Sequence, residues 1–292
     1  MNIAIIGVGL IGGSFALALR RAHRDFRVIG VDRDVGALDE ALRRGVIDEA
    51  ASVGLAMDID LILIAVPVRQ FPAVFAEIFP LLKPGTVITD AGSTKQDVIA
   101  AARAALGNKI SQFVPGHPIA GREYAGVAAA VSELFDGKNV VLTPIAENCA
   151  GSVERVRTMW RACGARVVEM SAEAHDAVFA AVSHLPHLLA FALVDELAAR
   201  PNAKTLFSFA ASGFRDFTRI ASSSPEMWRD IALNNRDALL RELDAFDAHI
   251  VDLRKALVSA DGDALEALMA RSRQARDRWL AGDLDGFRDE ST

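Results

Sequence analysis

Short apolar runs alternate with longer amphipathic stretches through the first half of the chain. The runs have the length of buried strands, and the stretches between them repeat apolar residues at helical spacing. We predict strands over residues 3–6, 28–31, 61–66, 87–89, 140–143 and 166–170. We predict helices over residues 14–24, 35–44 and 152–163, with Gly45 ending the second. This alternation is typical of a doubly wound, Rossmann-type α/β domain.

The second half of the chain has a different pattern. After residue 171 the strand pattern stops, and Ala- and Leu-rich helical patterns follow over 172–199, 227–260 and 264–280. Pro186 is expected to kink the first of these helices. Their apolar faces exceed what one small helical domain can bury, which indicates a subunit interface. We therefore predict a dinucleotide-binding domain over 1–171 and an all-helical substrate and dimerisation domain over 172–292. Two copies of the chain are expected to form a homodimer through their helical domains.

Composition narrows the function classes. The chain has 292 residues, of which 51% are hydrophobic, and this excludes disorder. Lys and Arg number 32 against 38 Asp and Glu, giving a net charge of −6, so no basic surplus is available for a nucleic-acid backbone. Cys149 and Cys163 fit neither a disulfide framework nor a zinc site. We predict a cytoplasmic protein with no nucleic-acid partner.

Residues 3–19 carry no charge and approach the length of a membrane helix or a signal-peptide core. No cation precedes this run, several glycines interrupt it, and no cleavage site of small residues follows it before Arg20. We therefore predict neither a signal peptide nor a membrane partner.

Gly7, Gly9 and Gly12 form a GxGxxG loop that follows one predicted strand and opens a helix through Leu10 and Ile11. In such loops the first glycine permits a tight turn, the second lets the backbone approach the pyrophosphate of the cofactor, and the third allows close packing of the helix. Packing alone is the alternative role. Asp32 ends the next strand, where an acid binds ribose hydroxyls and repels a 2′-phosphate, so we predict NAD rather than NADP. The neighbouring Arg33 could stack on adenine or pair with that phosphate.

Two further loops follow predicted strands on the same side. Val66 and Pro67 come after one strand and Ser93 after the next, and such loops line the cofactor crevice. Ser93 offers a hydroxyl to the site. The alternative is that Ser93 or Thr94 only caps the helix beginning near Lys95.

Histidine and arginine supply the candidate chemistry. His117 is predicted in a loop stiffened by nearby prolines, where it can act as a general base. His184 and His187 lie three residues apart, which could be half a metal site, but no third ligand has suitable spacing and we predict no metal. Arg219 follows Asp216 and can bind a carboxylate, the alternative being a surface ion pair.

Five motifs in order resemble the prephenate dehydrogenase family, which includes arogenate and cyclohexadienyl dehydrogenases. They are GLIGGS at 9–14, DAGSTK at 90–95, GHPIAG at 116–121, SHLPH at 183–187 and FRDFTRIA at 214–221. The resemblance implies NAD-dependent oxidative decarboxylation of prephenate to 4-hydroxyphenylpyruvate in tyrosine biosynthesis. Arogenate or dual specificity is the alternative substrate assignment.

The same resemblance implies roles for individual residues. His117 draws off the proton of the C4 hydroxyl, and Ser93 helps to align that hydroxyl with the cofactor. Arg219 holds the ring carboxylate with Asp216 as its ionic neighbour, and the other implied substrate-binding residues are His184 and Glu123. A β-hydroxyacid or imine reductase type of enzyme would use a lysine or aspartate as its main acid. A protein that only senses NAD would need neither His117 nor Arg219.

Overall fold

A six-stranded parallel sheet forms the centre of the N-terminal half. The computed structural model describes residues 1–22, 26–52, 58–122, 124–285 and 287. The strands are β1 (Asn2–Ile6), β2 (Arg27–Val31), β3 (Glu49–Ala50), β4 (Leu61–Ile64), β5 (Val87–Asp90) and β6 (Phe113–Val114). Their order in the sheet is β3-β2-β1-β4-β5-β6. The chain changes direction across the sheet between β1 and β4, the position where doubly wound sheets bind ligands.

Helices cover both faces of this sheet because side chains of successive strand residues point to opposite faces. Ile3 and Ile5 are buried in the core that includes Phe15, whereas Ile6 is buried with Phe71 in the core on the other face. The helices of this half are α1 (Leu10–Ala22), α2 (Val35–Arg43), α3 (Phe71–Ile78), α4 (Gln96–Leu106) and α5 (Ala150–Ala162). The predicted doubly wound α/β domain is thus confirmed.

Helix boundaries differ from the predictions at α1. This helix begins at Leu10 rather than at residue 14, since Gly12 and Gly13 are helical. Its predicted end at residue 24 lies outside the described residues. The left-handed Gly45, with φ +66°, follows α2 as predicted.

A second, three-stranded sheet follows the first. Its strands are β7 (Gly116–Pro118), β8 (Asn139–Leu142) and β9 (Arg166–Glu169). The strands predicted at 140–143 and 166–170 do form, but in this separate sheet rather than in the large one. The chain turns after the short β6, and β7 pairs antiparallel with β8. His117 therefore lies on a strand, and its prediction in a loop is wrong.

The C-terminal half is helical, as predicted. Its helices are α6 (Ala172–Phe179), α7 (Leu185–Ala198), α8 (Ala203–Ser208), α9 (Ser212–Thr218), α10 (Pro225–Asn234), α11 (Arg236–Val258) and α12 (Gly262–Ala281). The irregularity predicted at Pro186 is a π-helical turn over Ala180–His184, since proline cannot donate a helical hydrogen bond. The single helix predicted over 227–260 is wrong, because the chain leaves helical geometry at Asn235.

Two apolar stretches have distinct positions. The charge-free residues 3–19 form most of β1, the glycine loop and the first part of α1, and most of them are buried. A continuous helical stretch, Ala172–Ala198, is long and apolar enough to cross a membrane, and 28% of its most apolar window is buried. Its polar residues His175, Asp176 and His184 are buried against the rest of the protein.

The chain divides into two compact units, Met1–Leu239 and Leu240–Thr292. The first contains both sheets and the helices through α10. The second contains most of α11 and all of α12. Every described candidate site residue belongs to the first unit.

Gly12 is the tightest point of the glycine loop. A Cβ atom at Gly12 would lie 2.2 Å from the carbonyl oxygen of Gly7, which is backbone and cannot move aside cheaply. Gly12→Ala should therefore lower the free energy of unfolding by at least about 1–3 kcal/mol. Gly151→Ala is the control, because a Cβ there meets nothing within 4 Å. Urea unfolding checks both variants, and a wild-type midpoint for Gly12→Ala would contradict the packing role.

Candidate active site

The glycine loop joins β1 to α1 at the carboxyl edge of the large sheet. Gly7 has φ +96°, and a Cβ there would lie 2.5 Å from the carbonyl oxygen of Ala65. Gly7 also lies against Val66, which with Pro67 follows β4. A Cβ at Gly9 would meet nothing within 4 Å, so open space remains in front of this turn. Two of the predicted cofactor loops are therefore adjacent.

Asp32 lies beside the same loop, directly after β2. Its Oδ2 accepts the backbone N–H of Val8 at 2.7 Å, and its Oδ1 accepts that of Asp34 at 3.0 Å. Arg33 is exposed next to it. The open space at Gly9, the amino end of the 13-residue α1 formed by Leu10 and Ile11, and the Asp32 carboxylate together fit a dinucleotide.

The loop after β5 positions Ser93, which is half-buried. Neither Ser93 nor Thr94 caps α4, so the capping alternative is wrong. The carboxylate of Asp176 takes that place, accepting the backbone N–H groups of Lys95 at 2.8 Å and Gln96 at 2.9 Å. Ser93 is consequently not used by this helix end.

A buried ion pair fixes the start of β7. Lys95 Nζ lies 2.5 Å from Asp90 Oδ2, and both side chains are fully buried. Lys95 Nζ also donates to the carbonyl of Gly116 at 2.8 Å, while the N–H of Gly116 donates to Asp90 Oδ1 at 2.9 Å. The N–H and the C=O of Gly116 are thus each bound to a charged side chain. The position of the next residue, His117, follows from this clamp.

His117 contacts a second histidine that the sequence analysis did not single out. Its Nδ1 is 2.8 Å from His175 Nε2, and the ring of Phe179 lies 4.9 Å away. Burial, reinforced by the neighbouring His175, Lys95 and His184, holds the pKa of His117 well below its usual 6.5. Its ring is therefore neutral at neutral pH and able to accept a proton.

His175 is in turn bound to an acid. Its Nδ1 lies 2.8 Å from Asp176 Oδ1, and both side chains are buried. Burial lowers the pKa of His175 and outweighs the hydrogen bond that His175 donates to Asp176, which raises that pKa. Burial raises the pKa of Asp176, but hydrogen bonds from His175, Gln96 and Lys95 outweigh it, and the net pKa lies below the usual value. Asp176 is therefore an ionised acceptor.

His184 and His187 lie further along the same helical stretch. His184 is buried, its Nδ1 is 3.0 Å from Asn235 Nδ2, and burial lowers its pKa to about 4. Asn235 also donates to the carbonyl oxygen of Asp176 at 2.7 Å. His187 stacks on Trp228 at a centroid distance of 3.6 Å. Within the described residues no group of three His, Cys, Asp or Glu side chains could hold a metal.

The remaining predicted site residues have different surroundings. Arg219 begins a 3₁₀ turn, is exposed, and lies close enough to His187 to help burial lower its pKa. Asp216 is exposed on α9, one turn before Arg219. Glu123 lies outside the residues that the structure describes.

Sequence reasoning missed the residues that support His117. These are His175, Asp176, Asp90 and Lys95. The adjacent His175–Asp176 pair at the start of a helix was the available signal, but the contact with His117 spans 58 residues of sequence. No local pattern indicates a pairing at that distance.

Two family models match the chain. One is described as the nucleotide-binding domain of prephenate dehydrogenase and matches residues 15–169. The other is described as the dimerization domain of prephenate dehydrogenase and matches residues 171–271. Together they cover both halves of the chain.

Individual relatives agree with these matches. A prephenate dehydrogenase of Bacillus subtilis (strain 168) is 40% identical over 94% of this chain and 74% of its own length. A cyclohexadienyl dehydrogenase of Zymomonas mobilis is 39% identical over 94% of each chain. The crystal structure of prephenate dehydrogenase from Aquifex aeolicus with hydroxyphenyl propionate and NAD+ has a TM-score of 0.88 at 36% identity. The match covers 95% of this chain and 98% of that one.

The low pKa of His184 predicts how stability depends on pH. Its pKa is about 4 in the folded protein and about 6.5 in an unfolded chain. Between these values the unfolded chain binds more protons, so the free energy of unfolding decreases as pH falls from 6.5 towards 4. His184→Gln should reduce this slope, measured by urea unfolding at several pH values. His249→Gln, at an exposed histidine, is the control, and an unchanged slope in His184→Gln would contradict the assignment.

Proposed function

The chain belongs to the prephenate dehydrogenase family, and on this premise we propose that it catalyses NAD-dependent oxidative decarboxylation of prephenate to 4-hydroxyphenylpyruvate in tyrosine biosynthesis. The proposal rests on the state and position of His117. This histidine is neutral and partly buried, and the contacts of Gly116 hold it beside the carboxyl edge of a dinucleotide-binding sheet. NAD supplies a hydride acceptor when bound. Gly7, Gly9, Leu10, Ile11, Gly12, Asp32, Val66 and Pro67 would hold it.

His117 acts as the general base. Loss of hydride from C4 leaves positive character on a carbon that bears a hydroxyl, and removal of the hydroxyl proton stabilises the developing carbonyl. A neutral imidazole can take that proton, and the Gly116 clamp limits its movement. Ser93, free of any capping role, helps to align the hydroxyl with the cofactor.

Arg219 orients the ring carboxylate. A guanidinium binds a carboxylate through two hydrogen bonds, and one outside the reacting bond holds it without preventing its departure. Arg219 lies near His187. His184 lies three residues before His187 on the same helical stretch. Asp216, as the ionic neighbour of Arg219, and Glu123 complete the proposed substrate-binding set.

The proposal also covers which ring substrate and which nicotinamide cofactor the enzyme uses. The cyclohexadienyl dehydrogenase relative supports dual use of prephenate and arogenate as the alternative. Asp32 favours NAD over NADP, and the exposed Arg33 can stack on adenine. A reductase using lysine or aspartate as its main acid is disfavoured, because Lys95 and Asp90 are fully buried and bound to one another.

Both cysteines among the described residues are free thiols, which supports a reducing, cytoplasmic location.

We also place the boundary between the nucleotide-binding and helical domains after residue 171. The helical domain forms the homodimer interface. Its exposed large apolar residues support this, among them Val182, Ile250, Val251, Leu257 and Val258.

Sedimentation tests the dimer. The wild-type protein should be dimeric at micromolar concentration, and Val251→Glu on α11 should weaken association at least about tenfold by placing a charge in an apolar interface. Val35→Glu, at an exposed apolar residue on α2, is the control and should leave the dimer unchanged. A wild-type protein that sediments only as a monomer would contradict the assembly.

Steady-state assays test the reaction and its base. With prephenate, reduction of NAD to NADH should be faster than reduction of NADP to NADPH, and a parallel series with arogenate defines the ring specificity. His117→Asn keeps a polar group but cannot accept the proton, so kcat should fall by about 10²–10⁴ while NAD affinity is retained. Since the pKa of His117 is lowered, the acidic limb of kcat/KM should lie below pH 6.5 and disappear in this variant. A variant that keeps wild-type kcat would exclude His117 as the base.

A further inference from the structure

We propose that Asp176, acting through His175, holds His117 in the one tautomer that leaves its Nε2 lone pair free to receive the substrate proton. His175 and Asp176 are then positioning residues. This inference rests on the proposed function, because it assigns the atom with which His117 acts as a base.

The tautomer of His175 follows from the surroundings of Asp176. The backbone N–H groups of Lys95 and Gln96 donate to the two carboxylate oxygens of Asp176, and an ionised carboxylate can only accept hydrogen bonds. The 2.8 Å contact between Asp176 Oδ1 and His175 Nδ1 therefore requires a proton on Nδ1. In a neutral ring, His175 Nε2 then carries a lone pair.

The tautomer of His117 follows in the same way. Its Nδ1 lies 2.8 Å from His175 Nε2, and two lone pairs cannot face one another at that distance. The proton must be on His117 Nδ1, which leaves Nε2 unprotonated. The other charged or titratable groups near the two rings are Lys95, Asp90 and His184, and none of them donates a hydrogen bond to either ring among the described contacts.

The reaction uses this free nitrogen twice. As hydride leaves C4, the O–H bond of the hydroxyl breaks, its electron pair forms the second C–O bond, and the proton bonds to His117 Nε2. When the C1–carboxylate bond breaks and CO2 leaves, the released pair enters the ring and makes the oxygen basic. The same proton returns to form the phenol, so no net proton is released. During this interval two hydrogen bonds connect the imidazolium of His117, through His175, to the carboxylate of Asp176.

A variant of Asp176 reverses the chain of hydrogen bonds. In Asp176→Asn the amide oxygen can still accept the N–H of Gln96, while the amide nitrogen, in the place of Oδ1, donates to His175 Nδ1 and gives up the contact with the N–H of Lys95. His175 must then carry its proton on Nε2 and donate to His117 Nδ1, which moves the proton of His117 to Nε2. We expect kcat to fall by about 10²–10⁴, as expected for a wrong tautomer, with KM and NAD affinity changed less than about threefold.

Variants of His175 separate this effect from the capping of α4, because they leave Asp176 in place. His175→Gln retains an acceptor for His117 Nδ1–H and should keep kcat within about tenfold of wild type. His175→Leu removes the acceptor and should lower kcat by more than about a hundredfold. Thermal unfolding of each variant checks that the fold is retained.

The tautomers themselves are measured by ¹⁵N NMR of histidine-labelled protein without substrate or NAD. The chain has only six histidines, and His117→Asn and His175→Gln assign the two signals. Wild-type His117 should show the Nδ1–H form and the Asp176→Asn variant the Nε2–H form. An unchanged tautomer in folded Asp176→Asn, or equal kcat in His175→Gln and His175→Leu, would overturn the proposal. Failure of wild-type enzyme to oxidise prephenate or arogenate would instead overturn the proposed function.

Discussion

The ion pair between Asp90 and Lys95 is the interaction on which the site depends. It lies where three elements meet: the end of β5, the start of α4 and the start of β7. A buried pair contributes little net stability, since desolvation offsets the attraction, but loss of one partner leaves an uncompensated charge at a cost of about 3–5 kcal/mol. Its effect is therefore mainly geometric. Both peptide groups of Gly116 are bound to the pair, which sets where the second sheet begins.

The Asp176 carboxylate connects that region to the helical half. One oxygen binds His175 as well as the N–H of Lys95, and the other binds the N–H of Gln96. The amino end of α4 carries partial positive charge, which favours an ionised carboxylate there. A single acid thus stabilises a helix end in the nucleotide-binding half and orients a histidine beside His117, the proposed base.

The stretch Ala172–Ala198 combines an apolar composition with buried polar side chains, two properties that usually exclude each other. It is apolar enough to resemble a membrane segment, yet it carries a buried row of polar residues that make hydrogen bonds to other elements. These buried polar groups are tolerated because each has a hydrogen-bond partner, whereas many large apolar residues of the helical half are exposed. This asymmetry is the physical basis for expecting a subunit contact there.

Much of the fold was readable from the sequence, because it depends on local patterns. Apolar runs, helical spacing and the glycine loop predicted the doubly wound sheet, its Asp32 and the helical second half. The separate sheet, the strand under His117 and the break at Asn235 were not readable, since strand pairing and side-chain contacts join distant segments. For the site, residue type was enough to propose His117 as a base. Only the tertiary structure decided that His175 and Asp176 support it, because a hydrogen bond across 58 residues leaves no periodic trace in the chain.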